Sequence, residues 1–323
     1  MKIPRRYRPL LASMVVFVLL YFGAALRYSD EGFFTLRVFL NLLGDNSFLG
    51  VVAVGMTFVI LSGGIDLSVG AVMSFSSILV GVLIMEHGWS PLAAISAALA
   101  VGTLLGAGMG GVIHFVGIQP FIVTLAGMFL ARGLGFLIHL ESIGISDARQ
   151  TWLAGLGISF GQDGYLPITA LIFLAVVLGG LYLAYFTSFG RNVYALGGNE
   201  EAALLMGLPV ARTRIIVYAL SGLCAALAGA ILTLYLSSGS HIEGIGLELD
   251  AIAAVVVGGT LLSGGVGSIF GTFIGVLIIG TILNVITTYE GIPSSGVTKI
   301  AIAGLLLVFV LLQKLLMRGI RRA

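Results

Sequence analysis

The stretch "VILSGGIDLSVG", Val59 to Gly70, decides how the chain is read. An apolar run stops at Gly63-Gly64, an acid follows at Asp66, and the sequence is apolar again at once. A soluble core has little use for that order. Inside a membrane it breaks a helix and turns freed backbone toward a polar neighbour, the setting in which irregular backbone survives at that depth. An acid there faces protein interior or water, because a carboxylate in hydrocarbon is costly.

The composition supports a membrane setting. Of 323 residues, 59% are hydrophobic and 9% are charged, where soluble domains carry about 25% charged residues. A soluble fold cannot hide so much apolar surface, so much of it must face lipid. Candidate spans fall at 10–28, 46–62, 68–86, 91–115, 120–140, 166–186, 213–238, 249–262, 268–289 and 297–317. Phe33–Leu43 is apolar but short, and reads as an elbow helix at the interface. The expected fold is an all-α, polytopic transmembrane helical bundle of about ten helices. No linker divides it, so residues 1–323 read as a single transmembrane domain. The basic-then-apolar N-terminus has the layout of a signal peptide ending near Gly23-Ala24-Ala25. The preferred reading is an uncleaved first helix, since Leu10–Leu26 is nearly long enough to span.

Lysine and arginine choose the orientation. With a cytoplasmic N-terminus, the cytoplasmic segments hold Lys2, Arg5, Arg6, Arg8, Arg191, Arg212, Arg214, Lys314, Arg318, Arg321 and Arg322. The outer segments hold only Arg27, Arg37, Arg149 and Lys299. An even helix count then puts both termini in the cytoplasm. Most acids fall outside, Glu248 and Asp250 among them.

"LSGGI" at Leu61–Ile65 recurs as "LSGGV" at Leu262–Val266, again between an inward-running and an outward-running helix. That echo suggests repeated halves, a transporter device in which paired broken segments point to the pathway. For Asp66 two compatible readings stand. It lies beside a permeation route, or Asp66 or Ser68 caps the helix starting near Val69. Arg132 is the one base inside a span, and either snorkels to a carbonyl or contacts the pathway. Gly102, Gly106 and Gly110, like Gly267, Gly271 and Gly275, repeat every fourth residue and suit close helix packing.

The segment 187–212 is the longest expected cytoplasmic connection. Within it "EAALLMG", Glu201 to Gly207, is helical by propensity, and Gly207 then Pro209 end it. Leu204, Leu205 and Met206 give that helix an apolar tip, either an ordinary surface turn or a handle for a partner's groove. Several functions are excluded. A net charge of +2 gives nucleic-acid binding no electrostatic support. No phosphate loop surrounds Lys2, Lys299 or Lys314, so the chain is not the usual kind of ATPase. His87, His114, His139 and His241 lack metal spacing, and Ser240-His241 lacks a triad context. Cys224 is the single cysteine, so no intrachain disulfide forms. No cofactor and no metal is expected.

"VGMTFVILSGGIDLSVG", "IQPFIVTLAGMFLARG", "GRNVYALGGNEEAALLMG" and "LELDAIAAVVVGGTLLSGGVGSIFGT" together resemble the permease subunits of bacterial ribose/galactose-type ATP-binding-cassette (ABC) importers. The resemblance covers nearly the whole chain in order, and is nearest to the galactofuranose type, which works with a second, non-identical permease. It implies an inner-membrane permease that receives a monosaccharide from a sugar-binding protein and is driven by a separate ABC ATPase subunit. Glu201-Ala202-Ala203 followed by Gly207 is similar to the ABC permease coupling signature, so Glu200, Glu201, Ala202, Ala203, Met206 and Gly207 are expected to couple to the ATPase. The hydrophobic-Leu-Pro portion that usually follows is not cleanly present, since Leu208-Pro209 comes directly after the glycine.

On that reading the glycine breaks let helix segments tilt and offer backbone to a passing sugar. The expected pathway residues are Thr57, Ser62, Gly63, Gly64, Asp66, Ser68 and Thr124 from the first break region, with Ser263, Gly264 and Gly265 from the second. A permeation site must bind weakly enough to release, so specificity falls to the binding protein. The competing class is an ion-coupled secondary carrier, which needs intramembrane acids and finds only Asp66 at an expected depth.

Overall fold

A computed structural model describes residues 8–291 and 295–318. The basic residues Lys2, Arg5, Arg6, Arg321 and Arg322 of the orientation argument lie outside them. Among the described residues the chain is built almost entirely of helices: α1 Arg8–Arg27, α2 Leu36–Asp45, α3 Ser47–Leu61, α4 Val69–Met85, α5 Pro91–Phe115, α6 Pro120–Ile138, α7 Ala148–Ala154, α8 Ile168–Phe186, α9 Ser188–Gly198, α10 Glu200–Leu205, α11 Val210–Leu236, α12 Leu247–Val257, α13 Ile269–Asn284 and α14 Ser295–Arg318. A π-helical turn, Val285–Tyr289, extends α13. Two short antiparallel ribbons were not expected: β1 Ile143–Gly144 with β4 Ser238–Gly239, and β2 Gly157–Ser159 with β3 Tyr165–Pro167.

Among the described residues six helices are long and apolar enough to cross a membrane alone, and the bent α2–α3 pair, taken as one span, makes a seventh. The expected elbow is α2, set at 58° to α3. Three expected spans are not among these seven: α4, α12 and α14, of which Gly296–Phe309 is the apolar part among the described residues. Helix α4 has 17 residues and α12 has 11, about 26 Å and 17 Å at the helical rise, against a hydrocarbon core of roughly 30 Å. Glycine is the cause. Gly63 enters the α3–α4 connection at φ +86°, Gly246 precedes α12 at φ +84°, and Gly259, Gly264 and Gly265 follow α12 at positive φ.

Helix α11 is the central post. It packs on α3, α4 and α5. Gly102, Gly106 and Gly110 bring α5 onto it: Cβ atoms there would lie 2.8 Å from the Gly222 carbonyl oxygen, 2.1 Å from that of Tyr218, and 2.9 Å from the Ile215 Cα. The second glycine series behaves differently. Gly271 and Gly275 seat α13 against the Gly258 and Ala254 carbonyls, whereas Gly267 lies before α13 and packs on Thr260.

The contact pattern also repeats. Helices α3, α4, α5 and α6 are related to one another as α11, α12, α13 and α14 are: α4 packs on α5 and α6, and α12 on α13 and α14, while α3 meets α11, α12 and α13 as α11 meets α3, α4 and α5. Under this pairing the connection after α3 corresponds to the one after α11, not to Leu262–Val266. The "LSGG" echo is therefore not the mark of the repeat.

The amino ends of α4 and α12 meet. Gly70, second residue of α4, would place a Cβ 2.3 Å from the Gly244 carbonyl oxygen and 2.6 Å from Glu248 Oε2. Both ends are level with the middle of the 27-residue α11, because Asp66 is held by Ser221 and Val72 sits beside the Gly102–Gly222 contact. From there the two run oppositely. Helix α4 goes to the end that carries α7, and α12 goes to the end that carries α10, where the Ser13 hydroxyl donates to the Val257 carbonyl over 2.6 Å. At the α7 end, hydrogen bonds from the Arg149 guanidinium hold the Asp147 carboxyl below the usual carboxylate range.

Candidate functional site

The segment between α8 and α11 folds as two short helices. Thr187 caps α9, its hydroxyl accepting from Gly190 N–H at 3.2 Å, and Asn199 caps α10, its side chain accepting from Ala202 N–H at 2.9 Å. Gly207, at φ +72°, closes α10 by donating to the Leu204 carbonyl while Leu208 N–H donates to Ala203, the reversal a left-handed glycine permits. Ala203 is fully buried with Leu196 and Val210, which roots α10 on α9 and α11. Arg214 binds Glu200 at 2.5 Å. Glu201 points to solvent. Leu205 is 89% exposed and Met206 67%. The apolar tip expected from sequence is thus an unburied protrusion on a buried root.

That root touches both glycine breaks. A Cβ on Gly197 would lie 1.8 Å from the Leu61 carbonyl oxygen and 2.7 Å from Gly265 N. A Cβ on Gly265 would meet Gly198 at 2.9 Å, and one on Gly264 would meet Gly63 at 3.0 Å. The Gly265 N–H donates to the Leu61 carbonyl over 2.9 Å. Three glycine doublets, Gly63-Gly64, Gly197-Gly198 and Gly264-Gly265, therefore meet here, and a side chain on Gly197, Gly264 or Gly265 would collide with backbone. The Tyr194 hydroxyl adds a bond to the Gly267 carbonyl at 3.0 Å. A cavity of about 450 Å³, lined by Tyr185, Arg191, Tyr194 and Ser268 among others, opens beside this junction. The second loop is thus not packed on every side, and packing is what resists displacement. The pair Gly197-Gly198 was not singled out from sequence, although it repeats the doublet of both breaks in "YALGGNEE".

The residues expected to line a pathway divide into two groups. Ser62, Gly63, Ser263 and Gly265 lie at the junction, with Gly63 and Ser263 exposed. Thr57, Gly64, Asp66, Ser68, Thr124 and Gly264 are buried inside the chain. Thr57 shares a 2.7 Å hydrogen bond with Thr272, joining α3 to α13. Thr124 donates within α6 to Pro120 and across to Ile65. Gly64 makes room for the Tyr218 hydroxyl. None of these six has surface to offer a solute in this conformation.

Asp66 is fully buried and saturated. Its Oδ1 accepts from Ser68 N–H at 2.9 Å and Ser68 hydroxyl at 2.6 Å, and its Oδ2 accepts from Ser221 hydroxyl at 2.7 Å. These bonds fasten the α3–α4 turn to the middle of α11. Ser68 makes no side-chain cap on α4, because its hydroxyl is turned to Asp66. Ser221 carried no signal in the sequence; a serine in an apolar helix reads as packing until its partner is seen.

Comparison with known proteins gives one result. Residues 38–311 match the family model described as branched-chain amino acid transport system / permease component. The chain is 47% identical over 310 residues to the inner membrane ABC transporter permease protein YjfF of Escherichia coli K12, covering 96% of this chain and 93% of that one. It is 37% identical to the fructose import permease protein FruG of Bifidobacterium longum, covering 98% and 93%. It is 40% identical to the ribose import permease protein RbsC of Escherichia coli K12, covering 84% and 87%. With a family match over most of its length and relatives aligned nearly end to end, the chain belongs to the branched-chain amino acid transport system / permease component family, and is a multi-pass inner-membrane ABC transporter permease.

Proposed function

We propose that this chain is one permease subunit of an ABC importer, carrying a monosaccharide from a binding protein into the cytoplasm. The family description speaks of amino acids, but near full-length relatives are named for ribose and fructose. Identity of 37–40% along almost the whole chain weighs more than the generic family title. Galactofuranose or a related sugar is the proposed cargo, on the motif resemblance above. ATP hydrolysis takes place in a separate subunit that grips α10, and a second, non-identical permease completes the path. The chain acts as a single transmembrane domain that crosses ten times, α4 and α12 finishing their crossings as extended chain, with both termini in the cytoplasm beside α10.

One observation carries this reading. The exposed tip of α10 stands on a root that touches Leu61, Gly264 and Gly265 directly. A partner that pulls or pushes α10 therefore moves α9 against the ends of α3 and α12 with no compliant side chains between. Each ATPase conformation favours one permease conformation by differential contact.

The test is uptake by proteoliposomes holding the whole complex. Leu205→Asp is expected to abolish ATP-dependent sugar uptake while the chain still inserts and co-purifies with the second permease. Normal uptake by that variant removes α10 as the handle. Uptake by the isolated chain under an ion gradient favours the secondary carrier instead. Protease cleavage within 187–212 from the outer face alone overturns the orientation.

A further inference from the structure

The sequence places Glu248, Asp250 and Lys299 in outer segments, but the structure brings them to the amino end of α12, level with the middle of α11. Ionisable side chains at that depth face protein interior or a water-filled cavity, because exposure to lipid is costly. Yet the face they occupy is not covered by the described residues. Ile242, Ile245, Leu249 and Ile300 on it are exposed, and so is Lys299.

The groups are unsatisfied. Glu248 is 9% exposed, and its Oε2 is buried with no hydrogen-bond partner among the described residues. Lys299 Nζ lies 3.7 Å from where a Gly246 Cβ would sit, and faces Asp250 without closing into a salt bridge among the described residues. No side chain caps α12, because its first flanking residue is Gly246; the Leu249 and Asp250 N–H groups donate to the Gly246 carbonyl, which leaves those of Leu247 and Glu248 without a partner among the described residues. Beside them a cavity of about 130 Å³ is lined by Ser74, Arg132, Phe136, His241 and Ile245 among others. His241 stacks on Phe136 there, ring centroids 4.3 Å apart.

We propose that the amino end of α12, with Glu248, Asp250 and Lys299, is the station on this chain where the transported sugar makes hydrogen bonds at mid-membrane. The inference rests on the sugar-permease reading and names its contacts. Each sugar hydroxyl both donates and accepts. Two carboxylates supply acceptors, and one ammonium and the helix N–H groups supply donors, while Ile245 and Phe136 offer apolar surface to the sugar C–H face. Acceptors and donors spread over one wall hold a polyol loosely, as a conduit requires.

Two arms test it, both in the complete importer with its ATPase and binding protein. In the first, Leu249→Cys and Asp250→Cys are treated with the membrane-impermeant cation 2-(trimethylammonium)ethyl methanethiosulfonate, and compared with Leu178→Cys on the exposed face of α8. The native Cys224 is buried and leaves the background silent. The α12 sites are expected to react at least tenfold faster than Leu178→Cys, and equal rates overturn the proposal. In the second, Glu248→Gln is assayed with radiolabelled D-ribose, D-xylose, D-fructose and D-galactose and their monodeoxy analogues. Uptake of the preferred sugar is expected to fall at least tenfold, and that of at least one deoxy analogue by clearly less. A uniform fall across parent and analogues marks a structural role and overturns the contact, as does unchanged uptake. If the unmodified complex imports none of the four sugars, the furanose form present in the D-galactose solution included, the sugar reading fails, while the first arm still decides whether this face is wet.

Discussion

The amino ends of α4 and α12 meet at the same depth and carry the same kind of group, yet differ in how that group is used. Each end brings a partial positive charge from its helix, and two such ends repel unless an acid lies between. Glu248 lies against Gly70 where the two ends meet, and Asp66 stands just before α4, bonded to Ser68. Asp66 has every oxygen engaged by Ser68 and Ser221 and no exposed surface. Glu248 has a buried oxygen with no partner among the described residues and neighbours an open face. The first is spent on holding the fold, and the second is free for a ligand. A buried acid in a membrane protein is thus not by itself a pathway residue; its hydrogen-bond count decides.

The strongest attack on that contrast is to remove both acids in turn. Asp66→Ala strands the Ser68 and Ser221 donors and is expected to destabilise the purified protein by on the order of 3 kcal/mol. Glu248→Gln keeps shape and loses no bond made within the described residues, so its effect on stability is expected to stay within about 0.5 kcal/mol. Thermal unfolding in detergent reads both, and equal losses erase the distinction.

A smaller effect sharpens the claim that the two ends touch. Gly70→Ala pushes a methyl toward the Gly244 carbonyl and the Glu248 carboxylate, and is expected to destabilise by about 2 kcal/mol as overpacking. If stability is unaltered by this change, α12 does not begin against α4. Smaller again are Gly63→Ala and Gly246→Ala, each forcing an alanine to φ near +85°. A Cβ would lie 4.0 Å from the Gly197 Cα at Gly63 and 3.7 Å from Lys299 Nζ at Gly246, both ordinary contact distances, so each is expected to lose about 1 kcal/mol from backbone conformation alone. A clear difference between the two, measured by the same unfolding assay, points to packing at one of them and not at the other.

Much of the fold was legible. The apolar runs, the elbow at α2, and the facing of Gly102, Gly106 and Gly110 onto a neighbour follow from hydropathy and helical spacing. So does the exposed tip of α10, because Gly207 and Pro209 end a strongly helical segment with nowhere to bury Leu205. The site was only partly legible. Thr57 and Thr124 look like pathway groups in sequence, but each is consumed by a hydrogen bond that a linear reading does not reveal. Glu248 looked like an outer-loop acid because hydropathy marks where a helix turns apolar, not how deep the preceding chain has already descended.

The residue order alone settled that this polypeptide lives in a membrane, that glycine doublets break its helices, and that one connection carries a short helix with an apolar tip. These are local properties, written in transfer free energy, backbone freedom and helix propensity. Which broken ends face each other, which acid is saturated and which is left open, and that three glycine doublets from distant parts of the chain close on one another, depended on the folded arrangement. Partners in a hydrogen bond or a backbone contact are chosen by position in space, and no stretch of sequence holds the coordinates of its neighbours.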